Sequence, residues 1–348
     1  MTNGPQGQAA TADADLPLRR DQVVDLSSLP VRRHAVITGQ DGDVQVCASV
    51  GPRGELVTVW VAAGDLSAVT ARTVNRGGAS FPDPDAARPV TARITVHDPA
   101  LASITPVQSL GLAHIAAQPM PGGGFLIAGA RCRWRPDGPD RNAIVYDAAG
   151  QVVSDHVLGD GVSHVQTTST GQVWAGYFDE GVYGNYGWGR PDSAVPVGAP
   201  GIVQFSPGLE PAWQYPGGPP GELRNPVSEC CALNVTDACV WAFCDAGSPV
   251  ICIRDGVVTS WQNDLASASA LAADRPCVGL FAGYGRDSGR FTLARLGEDR
   301  IHLEAEYRIV LPDGRPLLPD THVIGRGPRL HFLTGNSWYQ LEIGSIAS

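Results

Sequence analysis

Three histidines and two cysteines occupy related positions in this chain of 348 residues. When the repeating units described below are aligned on their second strands, one position begins the inner strand of each unit. The six residues at that position are Cys47, His114, His164, Cys231, Ser269 and His322. The second and sixth units need an insertion or a deletion in a turn to align. Such positions converge from different units on one channel mouth if the units surround a common axis.

Imidazole nitrogens and thiolates are ligands that suit zinc, iron or copper. The set therefore predicts a divalent metal ion held by His114, His164 and His322, or the same three residues acting in proton transfer. A cysteine beside a histidine is alternatively an activated nucleophile. A structural explanation also stays open, in which each histidine caps a turn and each cysteine packs as a small apolar residue.

The adjacent residues Cys230 and Cys231 fall in the segment SECCALNV. Side chains alternate along a strand, so one of the two faces the channel and the other packs sideways. Asn234 lies three residues further on and is expected deeper along the same strand. We expect Cys231 and Asn234 to line a substrate-binding channel.

A long insertion, DEGVYGNYGWGRPDSAVPVGAP, spans residues 179–200. Loops longer than about 12 residues are often functional, and this one is expected to close over the channel. Asp179 and Glu180 begin it and are candidates for a general base or a metal ligand. Tyr183, Tyr186 and Trp188 are candidates to wall an apolar ligand. The alternative is a surface loop with a solvated acidic pair.

A second loop, RCRWRPDGPDR at 131–141, is rich in arginine. Guanidinium groups bind carboxylates and phosphates in a fork geometry, so Arg133 and the neighbouring Trp134 are candidate ligand-binding residues. The alternative is a solvated loop without a ligand.

A strand, a glycine-containing turn, a second strand, a loop and a third strand recur along the chain. The second strands are LVTVWVAAG (56–64), FLIAGA (125–130), VWAGYF (173–178), VWAFCD (240–245), VGLFAGYG (278–285) and LHFLTG (330–335). Period-two alternation and β-branched or aromatic residues indicate strands. Four strands per unit, repeated about six times, predict an all-β propeller with six blades.

The last unit reaches the end of the chain after its third strand. The run RHAVITG at 33–39 precedes the first full unit and belongs to none of them. We predict that it supplies the missing outer strand of the final blade, which leaves no open sheet edge at the seam. Residues 1–15 are expected to form a flexible tail and 16–348 a single propeller domain.

The repeated units, such as HVQTTSTGQVWAGYF (164–178), resemble six-bladed propellers of the NHL, SMP-30 and virginiamycin B lyase kind. The resemblance covers nearly the whole chain and implies the same six-bladed fold. A two-sheet sandwich is the rival fold, but six in-phase repeats favour the propeller. Such propellers include lactonases, lyases, condensing enzymes and interaction scaffolds, so the fold alone assigns no function.

The charge pattern narrows the choice of partners. The net charge is −10 and all 25 basic residues are arginine, which argues against nucleic acid and anionic membranes. The absence of lysine excludes Schiff-base and P-loop lysine chemistry. No apolar run approaches the length of a membrane span, and the first twenty residues contain no apolar signal segment. We therefore expect a cytoplasmic protein with reduced thiols.

Two functions remain open from the sequence. The first is an enzyme that acts on a small molecule, neutral or cationic, at the channel mouth by hydrolysis, elimination or condensation. In that case the three histidines transfer protons or bind metal, with Asp179 or Glu180 assisting. The second is a non-catalytic scaffold that presents one face to a protein or ligand.

Overall fold

The computed structural model describes residues 26–216, 227–245, 247, 249–282 and 288–346. Within these ranges the chain forms six main sheets, and the inner strands of neighbouring sheets contact one another in a closed ring. The prediction of a propeller with six four-stranded blades is confirmed. The predicted tail, residues 1–15, lies outside the described residues. In the described part of the chain, no helix has the length and apolar character needed to span a membrane.

The blades follow one another in chain order, and each runs from an inner to an outer strand. Blade one comprises Asp43–Val50, Leu56–Ala62, Asp85–Asp98 and Ala100–Leu112. Blade two comprises Ile115–Pro119, Phe125–Gly129, Ala143–Tyr146 and Val152–His156. Blade three comprises Val162–Thr167, Val173–Tyr177, Ile202–Phe205 and Pro211–Gln214.

The second half of the ring repeats this plan. Blade four comprises Cys230–Val235, Val240–Cys244, Val250–Arg254 and Val257–Trp261. Blade five comprises Ala270–Asp274, Cys277–Ala282, Arg290–Leu296 and Ile301–Val310. Blade six comprises His322–Arg326, Arg329–Thr334, Ser337–Glu342 and Arg32–Val36.

Short elements sit in the loops between these strands. The helices are Leu66–Val69 and Asp179–Tyr183, with 3-10 turns at Ala63–Asp65, Pro121–Gly123 and Ile343–Ser345. Two small ladders pair Arg72–Val74 with Ser80–Pro82 and Trp134–Arg135 with Gly138–Pro139. The ladders and the helix at 179 lie on the loops that surround the channel mouth.

The N-terminal segment closes the ring as predicted. Arg32–Val36 pairs antiparallel with Ser337–Glu342 and becomes the outer strand of blade six. The sequence did not indicate a second contact, in which Ser27–Pro30 adds a fifth, parallel strand to blade five. Val31 lies between these two strands and is buried. Residues 27–36 therefore connect blade five with blade six.

Apolar side chains between the blades hold the ring together. Six buried clusters are found among the described residues, and each joins two neighbouring blades. Val59 of blade one packs with Ile127 of blade two, and Leu271 of blade five packs with Trp241 of blade four. Burial of one such side chain contributes roughly 1.5–3 kcal/mol. The inner strands are therefore fixed tightly enough to position side chains in the channel.

Candidate functional site

The upper ends of the inner strands surround a polar cavity of about 650 Å³. A second cavity of about 340 Å³ shares five of its wall residues, among them His164 and His322. These two histidines come from blades three and six and lie between the two spaces. The remaining walls combine hydroxyl, thiol and carboxyl groups with apolar side chains such as Phe243 and Leu317, and no arginine is among the described lining residues. The channel mouth is thus the natural place for a small ligand.

His164 is the third residue of its inner strand and turns its ring toward blade four. Its pKa is lowered to about 4, mainly by burial and also by the nearby His322, while hydrogen bonds with the backbone of Cys231 and Cys230 partly offset these effects. The ring is therefore neutral at physiological pH. Part of its surface still faces the cavity, so it is available to donate or accept a hydrogen bond.

His322 begins the inner strand of blade six and exposes its side chain to both cavities. Burial lowers the pKa of this ring as well. The preceding residue, Thr321, also lines the larger cavity, and its hydroxyl oxygen is buried without a hydrogen-bond partner among the described residues. A buried hydroxyl without a partner costs free energy, which a polar ligand in the cavity would recover.

Cys231 lines the larger cavity as predicted, and Ser269 lies beside it on blade five. Burial and the carboxylate of Glu229 raise the pKa of Cys231 to about 12, so the residue is a protonated thiol. The raised pKa does not favour the alternative in which a cysteine beside a histidine acts as an activated nucleophile. The Ser269 hydroxyl donates to the carbonyl of Phe281 at 3.3 Å. Both residues shape the wall without supplying a nucleophile.

Glu229 is the acidic residue in the described wall of the cavity. Its pKa is raised by burial, then by the neighbouring carboxylates of Asp245 and Asp179. The sequence analysis did not single out Glu229. The sequence could have indicated Glu229, since it directly precedes the Cys230–Cys231 pair. A residue just before an inner strand lies at the channel mouth.

The structure does not bring His114 to the other two histidines. His114 adopts a positive φ of 49°, and its Nε2 atom lies 2.8 Å from the carbonyl oxygen of Ala71. It lines neither cavity. The described residues contain no group of three His, Cys, Asp or Glu side chains suited to a metal ion. The predicted three-histidine metal site is therefore not formed, and His114 has the turn-capping role that the alternative proposed.

The acidic pair at the start of the long loop is divided between two roles. Glu180 forms an ion pair with Arg131 at 2.5 Å, and Arg131 also pairs with the buried Asp160 at 2.9 Å. Glu180 is therefore part of a structural ion network. Asp179 is exposed and accepts the backbone N–H of Glu180 at 2.7 Å. It stays at the rim of the mouth, where its charge acts on Glu229.

The aromatic residues of the long loop pack on the blades and do not line either cavity. Trp188 is buried and its indole N–H donates to the carbonyl of Cys132 at 2.9 Å. The Tyr186 hydroxyl donates to the carbonyl of Pro82 at 2.7 Å. Tyr183 is 66% exposed and donates to Ser228 at 3.0 Å. The three residues therefore do not line the cavities as expected, and the loop of blade three instead contacts the tops of blades one, two and four.

The arginine-rich loop is likewise occupied by protein groups. Arg133 forms an ion pair with Asp83 at 3.1 Å and lies over the ring of Tyr186. Trp134 packs edge-on against Trp188, with ring centroids 5.0 Å apart. Because the described carboxylates neutralise the guanidinium, the loop lacks the free positive charge that anion binding requires.

Asn234 lies below the cavities and does not line them. Its amide nitrogen donates to the carbonyls of Leu271 and Gly327, both at 2.9 Å, and its oxygen accepts the N–H of Gly327 at 2.7 Å. The side chain is fully buried, and both of its amide N–H groups are used within the protein. The predicted substrate-binding role is therefore replaced by a bridge between blades four, five and six.

Gln166 and Arg326 complete this lower layer, and the sequence analysis missed both. The Gln166 amide donates to the carbonyls of Leu233 and Gly325 at 3.1 Å and accepts from Arg326 at 2.8 Å. Arg326 also donates to the carbonyl of Thr167. The sequence could have indicated this layer, because amide or guanidinium side chains occur two to four residues after the aligned positions that begin the inner strands. The layer links the inner strands of blades three to six by side-chain hydrogen bonds.

Comparisons with known proteins are consistent with this fold at a general level. No protein-family model matches the sequence, and no curated protein matches it. Catalytically inactive virginiamycin B lyase from Staphylococcus aureus, solved with quinupristin, is 11% identical, with 89% of this chain and 98% of that chain covered and a TM-score of 0.39. The β-propeller domain of Cps50 (Swd1) from Myceliophteria thermophila is 13% identical, with 90% and 87% covered and a TM-score of 0.44.

A chain of the mitotic checkpoint complex is 6% identical, with 93% of this chain and 98% of that chain covered and a TM-score of 0.45. The similar structures thus include an enzyme as well as components of assemblies. A likeness at this level carries no argument about function. The functional inference therefore depends on the channel mouth itself.

Proposed function

We propose that this protein is an enzyme that binds a small neutral or cationic molecule at the channel mouth and moves protons on it through His322 and His164. The observation that carries the proposal is the placement of two neutral imidazoles, from opposite sides of the ring, in the wall that two neighbouring cavities share. His114, by contrast, bonds to the carbonyl of Ala71 and lines neither cavity. His164 and His322 instead border open space.

The walls support the choice of substrate class. Glu229 supplies negative charge, Asp179 and Asp245 add to it, and the described lining contains no arginine. An anionic substrate would have to enter this field without a compensating cation, at a cost in free energy. A neutral or cationic molecule meets hydroxyl, imidazole and carboxylate groups that suit it.

The low basicity of the imidazoles defines the mechanism. His322 has the more exposed ring and takes a proton from the substrate as general base. Because burial disfavours the charged ring and so lowers its pKa, the imidazolium returns the proton to a leaving group. His164 remains neutral and orients the substrate by hydrogen bonding. Proton removal followed by proton return is common to elimination and hydrolysis, which are the reaction classes we propose.

The alternative is a non-catalytic scaffold. The hydrogen-bonded layer in the lower channel supports it, because that layer has a structural role. A scaffold does not require partly buried polar side chains in a cavity, because a buried polar group without a hydrogen-bond partner lowers the stability of the fold. The two functions differ in what the histidines do. In a scaffold they are replaceable, whereas in an enzyme they are required for turnover.

The test is a thermal-shift screen of small neutral, cationic and anionic metabolites against the intact protein and a His164→Gln/His322→Gln variant. Compounds that raise the melting temperature are then followed by proton NMR for turnover. We expect stabilising compounds to be neutral or cationic, and turnover to disappear in the double variant. Equal binding and turnover by both proteins, or hits that are all anionic, would overturn the proposal.

A further inference from the structure

Blade four contains five of the eight cysteines, and four of them form two neighbouring thiol pairs. Cys230 lies directly opposite Cys244 in the sheet. Cys239 precedes the second strand, and Cys252 lies in the third strand opposite Trp241. Since Cys239 is two residues from Trp241, Cys239 and Cys252 share one face of the sheet on a diagonal. Their thiols are hydrogen-bonded to each other.

The two pairs have different surroundings. Cys230 and Cys244 are 0% and 1% exposed, between blades three and four. Cys239 is only partly buried, and its sulfur lies 3.7 Å from the hydroxyl of Thr236. The exposed guanidinium of Arg254 bonds to the same sulfur. Reactive cysteines need such an electropositive and partly exposed environment, which only the second of these pairs has.

We propose that Cys239 and Cys252 form a peroxide-sensitive dithiol site that closes reversibly into a disulfide within blade four. The site lies at the turn between the inner and second strands, on the face opposite the channel mouth. It is therefore separate from the histidine site, and its chemistry does not depend on the function proposed above.

The roles of the two sulfurs follow from their contacts. The bonds from Cys252, Thr236 and Arg254 lower the pKa of Cys239 to about 5, with Cys252 the largest cause. Cys239 is also the more exposed of the two sulfurs, so it is the one that attacks peroxide first. The hydrogen bond to Cys239 and burial raise the pKa of Cys252, which keeps its proton until the partner has been oxidised. Arg254 and Arg275 both lower the pKa of Cys252, but their effects are smaller than those of Cys239 and burial.

The reaction balances with peroxide as the oxidant. The Cys239 sulfur attacks one peroxide oxygen, an S–O bond forms, the O–O bond breaks, and hydroxide leaves to become water. The product is a neutral sulfenic acid, so the negative charge beside Cys252 is removed. Cys252 then loses its proton and attacks the Cys239 sulfur, the S–S bond forms, and a second hydroxide leaves and is protonated. Two thiols lose two electrons and two hydrogens, and one peroxide becomes two waters.

The experiment treats the full chain with a small excess of hydrogen peroxide, quenches with an alkylating reagent and maps the thiols by peptide mass spectrometry. We expect a Cys239–Cys252 disulfide, seen as a loss of two hydrogens, which thioredoxin or dithiothreitol reverses. In a Cys252→Ser variant we expect a sulfenic acid at Cys239 that a dimedone probe labels. In an Arg254→Gln variant we expect alkylation of Cys239 to slow by about threefold or more.

Cys230 and Cys244 are the internal control, because they lie opposite each other in the same sheet but lack the arginine and the exposure. They should stay reduced under the same treatment. Oxidation of this control pair at the same rate as Cys239 would overturn the proposal. So would alkylation of Cys239 no faster than Cys231, or a sulfenic acid at Cys239 in the unaltered chain that never forms the disulfide.

Discussion

The lower and upper halves of the channel are built from the same inner strands, yet they treat polar side chains in opposite ways. In the lower half, the amide of Asn234 and the guanidinium of Arg326 bond to backbone atoms of neighbouring blades. The Gln166 amide lies at the boundary, because it makes such bonds and also lines both cavities. In the upper half, His164 and His322 border open cavities. A polar group whose bonds are all made within the protein contributes to the fold. A polar group left facing space is available to a ligand.

Residue type does not separate these two roles. His114 and His322 have the same chemistry and the same aligned position, but only His322 faces the cavities. We therefore expect substitutions in the lower half of the channel to change the stability of the protein. Substitutions in the upper half should change the binding and turnover of a ligand. The predictions below are ordered by their expected effect on stability.

The largest effect is expected from Gly325→Ala, in the inner strand of blade six, where Gly325 lies at the base of the larger cavity. A Cβ atom at this position would lie 1.8 Å from the carbonyl oxygen of Leu271, where the inner strands of blades five and six meet. Neither backbone is free to move, since the Gly325 carbonyl also accepts the Gln166 amide. We expect insoluble protein, or a loss of about 4 kcal/mol or more in the free energy of unfolding measured by urea denaturation.

Ser269→Ala is the matched control at the upper end of blade five. It removes one bond to the Phe281 carbonyl, 3.3 Å long, and should cost about 1 kcal/mol or less. If the two variants unfold at the same urea concentration, the close approach of blades five and six does not set the stability of the ring.

A second comparison uses one strand of blade four. Asn234→Ala removes three hydrogen bonds to Leu271 and Gly327 and leaves buried backbone groups without partners. We expect a loss of about 2–4 kcal/mol by urea denaturation. Cys231→Ala, three residues earlier on the wall of the cavity, should cost less than about 1 kcal/mol. A reversed order of the two variants would contradict the division between the halves.

Much of the fold was predictable from the sequence because period-two alternation repeats six times with its turns in phase. The closing strand at 33–39 followed from counting strands, since a missing partner in the last blade needs a donor elsewhere. The parallel strand Ser27–Pro30 was not predictable, because it completes no repeat. Its position depends on the path of the chain between two blades.

The site was predicted in part, for a reason that the channel makes clear. The alignment placed His164, Cys231 and His322 at the mouth, where the structure has them. It misplaced His114 because a positive φ at that residue turns the side chain to Ala71. Trp188 was expected to face a ligand, but its indole bonds to Cys132. Such contacts between distant segments leave no periodic trace in a sequence.

Lowering the pH is expected to reduce the free energy of unfolding by an intermediate amount. The folded pKa of His164, about 4, lies below the ordinary value of 6.5, so the unfolded chain binds a proton first as pH falls. This contribution to stability is complete above pH 6.5 and is lost between pH 6.5 and about 4. Because the ring is partly open to the cavity, we expect a loss of roughly 1–3 kcal/mol.

Urea denaturation at a series of pH values measures this loss, with His164→Gln as the comparison. The variant should lose less stability than the intact protein over the same range. It should not become insensitive to acid, because burial also lowers the pKa of His331, to about 3. Identical pH profiles for the two proteins would show that His164 is not held neutral by the fold.

The smallest effect on stability is expected from His322→Gln, although its effect on function should be the greatest. His322 exposes its ring to the cavities, so replacing it removes little packing and should change the free energy of unfolding by less than about 0.5 kcal/mol. Glutamine keeps a hydrogen-bonding group but cannot accept a proton at neutral pH. If His322 is the general base, turnover of a compound identified by the thermal-shift screen should fall by about a hundredfold or more.

The matching variant is His114→Gln, which replaces the residue at the aligned position of blade two. Its ring contacts the Ala71 carbonyl and not the cavity, so turnover should stay within about twofold of the unaltered protein, while stability falls by about 1 kcal/mol. The pair of variants therefore separates chemistry from capping at equivalent positions in one ring. Loss of turnover in His114→Gln with full activity in His322→Gln would reverse the assignment of the two histidines.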